Sequence, residues 1–151
     1  MKKSVLYVLP WELESIGGVS QVVGNLIKET LKHNELNPIL FESNYSQKRI
    51  TKKGCSPCNI FFGRQPTPHL EGNRLIGITS YVANFILFFF QFSWFAFRNN
   101  IAYINIHYPG LYLLTYVFIK KLLPWKIRLI VSIHGSDVSA IADSTGIERS
   151  L

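Results

Sequence analysis

The sequence predicts an α/β fold: a Rossmann-like parallel sheet with flanking helices. Three observations predict it. Val5 to Leu9 form a continuous apolar run of the buried parallel-strand type, which passes through Ile16-Gly17-Gly18 into Val19, Val22, Val23, Leu26, Ile27 and Leu31 at helical spacing. Two later apolar runs, Ile101 to Ile106 and Ile127 to Ile133, have the same strand character and flank a helical segment. Small or polar residues follow each of the three runs, as expected of loops at the carboxyl ends of strands.

Taken in order, the elements justify themselves. After the first helix, His33 to Pro38 is rich in breakers, and Ile39-Leu40-Phe41 reads as the next strand, so the chain begins β-α-β. Ser43 to Pro57 reads as a polar loop carrying Lys48, Arg49, Lys52 and Lys53, and Asn59 to Phe62 as a short third strand. Arg64 to Asn73, with Pro66 and Pro68, reads as loop. Beyond the long apolar segment described next, Ile101 to His107 is a strand, Tyr108-Pro109-Gly110 a turn, and Leu111 to Leu123 a short helix stopped by Pro124.

Residues 75–97 carry no charge and are bracketed by Arg74 and Arg98. At 1.5 Å per residue they are long enough for a bilayer core of about 30 Å. Two features argue for a packed or interfacial helix instead. Gly77, Asn84, Gln91 and Arg98 recur every seven residues with Ser80 beside them, a narrow polar stripe that a lipid-surrounded helix does not need. A spanning helix would also put the strands before and after it on opposite sides of the membrane, where they could not share a sheet. The phenylalanines at 85, 88, 89, 90, 92, 95 and 97 exceed what one sheet face buries, so contact with a membrane surface is expected.

Composition narrows the function classes. A chain of 151 residues suits one domain with a core. Only 17% of its residues are charged, against about 25% in an ordinary soluble domain. The net charge of +7 favours an anionic partner such as a nucleotide phosphate or an acidic lipid. Nothing but that charge speaks for nucleic acid, and no nucleic-acid module is present, so no nucleic-acid partner is expected. Met1-Lys2-Lys3 and the following strand imitate a signal peptide, but Pro10, Glu12 and Glu14 end the apolar run too early, so a cytoplasmic location is expected. Cys55 and Cys58 form a CxxC without a second ligand pair, and the expectation is a structural role with no metal.

The candidate site lies where three strand ends converge. The first strand delivers Gly17-Gly18, where backbone N–H groups at a positive helix terminus lie open to an anionic or sugar-bearing ligand. The strand at 101–107 delivers His107-Tyr108-Pro109-Gly110, and the strand at 127–133 delivers His134-Gly135-Ser136-Asp137. Imidazole can donate to a sugar or phosphate oxygen or accept a hydroxyl proton. Gly135 keeps the backbone open, and the Asp137 carboxylate can hold a hydroxyl or orient the imidazole. A nicotinamide site is disfavoured, because Gly17-Gly18 is followed only by Gly24 and no G-x-G-x-x-G occurs.

In this order, the glycine pair, the His-Tyr-Pro and the His-Gly-Ser-Asp resemble the amino-terminal domain of the retaining GT-B glycosyltransferases of family 4, from Lys3 to about Ala142. The resemblance implies that Gly17 and Gly18 floor the cleft near the donor diphosphate and the acceptor. It also implies that His134 positions the reacting sugar, with Asp137 on the same loop and His107 structural or acceptor-side. It further implies a nucleotide-sugar as co-substrate, no cofactor or metal, and a glycan or lipid-linked acceptor at the cytoplasmic face of the membrane. Family members continue into a second Rossmann-like domain holding a Glu, seven residues, Glu element. Glu35 and Glu42 share that spacing here only on a turn and a strand.

The expectation is therefore one partial N-terminal domain over 1–151 without the donor-binding half, inactive unless a further domain or a separate polypeptide completes it. A sheet edge left unpaired after the last strand would favour aggregation or a partner. The competing expectation is a non-catalytic truncated product, or a small membrane-associated protein in which helix 75–97 spans the bilayer.

Overall fold

The computed structural model describes residues 2–14, 17–44, 46–54, 57–67, 74–123 and 126–134. Strand β1 (Ser4–Leu9) is buried along its whole length, as its unbroken apolar run requires of a central parallel strand. It feeds helix α1 (Gly18–His33), which ends at Asn34 in the left-handed conformation, φ 54°, and returns into β2 (Asn37–Ser43). Next come β3 (Thr51–Gly54) and β4 (Asn59–Gly63), the long helix α2 (Arg74–Arg98), β5 (Ile101–His107), α3 (Leu113–Leu122) and β6 (Arg128–Ser132).

The strands form one six-stranded sheet in the order β3-β4-β2-β1-β5-β6. Every neighbouring pair is parallel except β3 with β4. The α/β class and the parallel, Rossmann-like sheet are thus as the sequence predicts. The chain winds outward from β1 in one direction through β2 and β4, then crosses back along α2 to build β5 and β6 on the other side. Because β1 pairs directly with β5, the strands before and after α2 belong to the same sheet.

The two faces have separate cores. On one, Val23 and Ile27 of α1 pack with Val5, Tyr7, Leu9, Leu40 and Cys58. On the other, Phe88, Phe92, Phe95 and Ala96 of α2 join Tyr116 and Ile119 of α3 over Leu6, Val8, Ile39, Phe41, Ile104 and Ile106. Aromatic edges stitch this second core together: the Phe92 and Tyr116 rings meet nearly at right angles, 5.6 Å between centroids, and Phe61 meets Phe95 at 4.8 Å.

Two local expectations are corrected. The segment 43–57 is not all loop, because Thr51–Gly54 pairs antiparallel with β4. Its sequence Thr-Lys-Lys-Gly has no apolar alternation to betray a strand, and lysines on an edge strand discourage further pairing. β6 is not of the fully buried kind, since Arg128, Ile130 and Val131 are exposed.

Candidate functional site

In an open α/β sheet the crevice for ligands forms where the winding reverses, beyond the carboxyl ends of the strands flanking that point. Here the reversal lies between β1 and β5, so the loops after Leu9 and after His107 border it. Parallel pairing places His134, just past β6, beside the second loop. Gly17, Gly18, His107 and His134 therefore share one edge of the sheet.

Gly17 is the N-cap of α1 and makes no side-chain cap, and no acidic residue occupies the first turn. The first helical hydrogen bond runs from Gln21 N to Gly17 O, 3.2 Å, so the amides of Gly18, Val19 and Ser20 precede the intrahelical ladder. Backbone strain does not account for the glycine: at φ 173° and ψ 155° Gly17 is simply extended. A Cβ added at Gly17 or at Gly18 would meet nothing within 4 Å. The pair leaves a positive helix end in open space.

Two side chains that the sequence reading missed hold this loop. Trp11 donates its indole N–H to Ser20 Oγ at 3.2 Å, and its ring meets the Tyr108 ring edge-on at 5.0 Å, tying the start of α1 to the loop after β5. Glu42, its side chain 2% exposed, accepts Leu13 N–H at 2.7 Å and the Lys53 ammonium at 3.2 Å. Lys53 also reaches Glu12 and Glu14. Burial alone would lower the Lys53 ammonium, but its hydrogen bonds to Glu42 and Glu12 and their charges outweigh it and hold the lysine above its ordinary value. Lys53 is thus spent on fixing the β1–α1 loop and is not part of a free basic patch. A buried Glu following an apolar strand was the available signal.

The two histidines meet. His107 Nδ1 lies 3.2 Å from His134 Nε2, and the rings stack at 27° with centroids 5.5 Å apart. Successive polar residues on the same strand face continue the pair inward, where Ser132 Oγ donates to Asn105 Oδ1 at 2.8 Å. The polar i, i+2 pairs Asn105/His107 and Ser132/His134 on adjacent strands were the sequence signal for this ladder. His107 is 0% exposed, and burial, assisted by the electrostatic influence of the neighbouring His134, lowers its pKa to about 4. It is neutral at pH 7. Its Nε2 is buried without a hydrogen-bond partner among the described residues. A buried lone pair is tolerated better than a buried orphan N–H, which assigns the proton to His107 Nδ1, donating to His134 Nε2.

The loop after His107 is braced in its turn. Tyr108 has φ 55°, a strained value for a bulky side chain. The Tyr112 hydroxyl lies 2.8 Å from the His107 carbonyl and 2.5 Å from the Tyr108 carbonyl, holding that strain in place. Gln65, after β4, donates to the Leu9 carbonyl at 3.4 Å, while its buried Oε1 has no partner among the described residues. The edge thus offers helix amides, two buried acceptor atoms, a pair of imidazoles in contact and two aromatic faces. Among the described residues no group of three or more His, Cys, Asp or Glu side chains is placed to hold a metal ion.

Gly135 and Asp137 lie outside the described residues, as does Cys55. Cys58 is a free, buried thiol whose pKa burial pushes up to about 11, away from the low value a reactive thiolate needs. No protein-family model matches the chain, and no curated protein matches it.

Proposed function

We propose that this chain forms the acceptor-binding half of a glycosyltransferase, moving a sugar from a nucleotide-sugar to a lipid-linked or polysaccharide acceptor at the cytoplasmic face of the membrane. The observation that carries the reading is the His107–His134 contact at 3.2 Å, beside a glycine-opened helix terminus at the reversal point of the sheet. Catalysis of transfer needs groups positioned around the reacting sugar more than it needs strong acids or bases. In this reading His134 is the positioning group, held by His107, and the amides of Gly18 to Ser20 face the diphosphate. Gly135 and Asp137, which follow His134 in the sequence, belong to the same site in this reading.

The exposed side of α2 supports the membrane location. Leu87 (62%), Phe90 (67%), Trp94 (62%) and Phe97 (67%) are solvent-facing, and Lys120 and Lys121 close the neighbouring helix α3. Only 11% of the most apolar window of α2 is buried. A helix lying on an anionic surface uses such a face, whereas a spanning α2 would have to break the β1–β5 ladder.

A transferase of this type closes its cleft with a donor-binding domain, so activity is expected of the chain together with such a domain, in the same or a separate polypeptide. The test supplies cells expressing the gene with its flanking DNA with a panel of labelled nucleotide-sugars. Incorporation of label into the lipid or polysaccharide fraction that depends on this gene is expected. Absence of such incorporation from every donor would refute the reading.

A further inference from the structure

We propose that the groove between α2 and the β2–β3 and β4–α2 loops binds a phosphate-headed lipid, its phosphate among Lys48, Arg49 and Arg64 and its chain against Phe61, Trp94 and Phe95. Two adjoining cavities carry this. The first, about 280 Å³, is lined by those three cations together with Leu87, Phe88 and Gln91. The second, about 560 Å³, shares Arg49, Ile50 and Gln91 with the first and continues along aromatic walls to Arg98. Together they match ligand-sized pockets of about 300–1,000 Å³. Among the described residues no acidic side chain lines either cavity, and none pairs with Lys48, Arg49 or Arg64.

The polar stripe of α2 finds its explanation here. Gln91 accepts Ile50 N–H through Oε1 at 3.1 Å and donates through Nε2 to the Lys48 carbonyl at 3.3 Å. A single amide side chain therefore fixes the backbone that carries Lys48 and Arg49 over the cavity. Lys53, the other end of the same basic stretch, is taken by three carboxylates, whereas Lys48 and Arg49 line the groove. A cationic cavity that opens into an aromatic one is complementary to a molecule with an anionic head and an apolar tail. The exposed aromatic and aliphatic row of α2 beside it lets such a lipid reach the groove from a bilayer. The proposal stands on these cavities and does not depend on sugar transfer.

The test measures co-sedimentation of the protein with phosphatidylcholine vesicles containing phosphatidic acid. The variant Lys48→Gln/Arg49→Gln/Arg64→Gln is compared with Lys3→Gln/Lys28→Gln/Lys32→Gln, which removes the same charge elsewhere. Each cation at an anionic surface contributes roughly fivefold, so the groove variant should bind ~100-fold more weakly, while the control, its charges screened and distant, changes only a few-fold. Trp94→Ala should weaken vesicle binding without altering the circular dichroism. In the wild-type protein the lipid should protect Arg49 and Arg64 from phenylglyoxal, a readout that requires no variant to fold. Equal losses in the two triple variants, or an unchanged groove variant, would overturn the proposal. So would protection by inorganic pyrophosphate as strong as that by the lipid, which would reduce the groove to a site for a soluble anion.

Discussion

Replacing His107 with Asn should flatten the acid dependence of stability. In the folded chain His107 is buried against Tyr7 and His134 and binds its second proton only near pH 4, against 6.5 for an ordinary imidazole. The folded value is depressed, so the unfolded chain takes up the proton first. The associated stability is fully present above about pH 6.5 and is lost as the pH falls toward 4. Integrating proton uptake between these values gives about 2 kcal/mol lost by pH 5 and about 3 kcal/mol by pH 4. Asn at this position places an amide N–H near Nδ1 and keeps a donor for His134, but does not titrate. Urea unfolding followed by tryptophan fluorescence at intervals from pH 7 to pH 4 reads the difference. Wild type should lose about 3 kcal/mol more than His107→Asn across that range. Parallel curves would refute the buried, neutral imidazole.

Two further substitutions probe the loop that carries the glycines. Glu42→Ala removes the acceptor for Leu13 N–H and one of three carboxylates on Lys53, and should cost about 3 kcal/mol in urea unfolding, with Glu42→Gln costing less; a loss below about 0.5 kcal/mol would contradict its bracing role. Gly17→Ser adds a helix cap where a Cβ has room, and should stabilise α1 by a few tenths of a kcal/mol while impairing transfer, because the new side chain fills the space before the helix amides. Unchanged transfer in Gly17→Ser would remove the glycine pair from the site.

Much of this architecture was legible because burial writes itself into parallel strands. Val5 to Leu9 and Ile39 to Phe41 are unbroken apolar runs, Ile101 to Ile106 is apolar but for Asn105, and each lies within a strand of the sheet. Helix α2 begins at Arg74 and ends at Arg98, the two charges that bracket its apolar run. β3 was hidden because an edge strand rich in lysine has no core face to pattern. Within the site, His107 and His134 could be placed at neighbouring strand ends from sequence, but not their contact, which depends on β5–β6 register. Trp11 belongs to no recurring spacing, and although a glutamate directly after Ile39 to Phe41 was a signal, what Trp11 and Glu42 hold depends on Tyr108 and Lys53, which only the fold brings to them. The stripe through Asn84 and Gln91 was readable as a stripe, whereas its function in fixing the 48–50 segment needed the fold.

The central claim, that the paired histidines at the sheet's reversal point position a sugar for transfer, is tested most directly at His134. The label-incorporation assay is run on wild type and His134→Ala, with circular dichroism and vesicle binding measured on both proteins. Loss of a positioning group beside the reacting sugar should reduce transfer ~100-fold, with fold and vesicle binding unchanged. Transfer at the wild-type rate by His134→Ala would contradict the account.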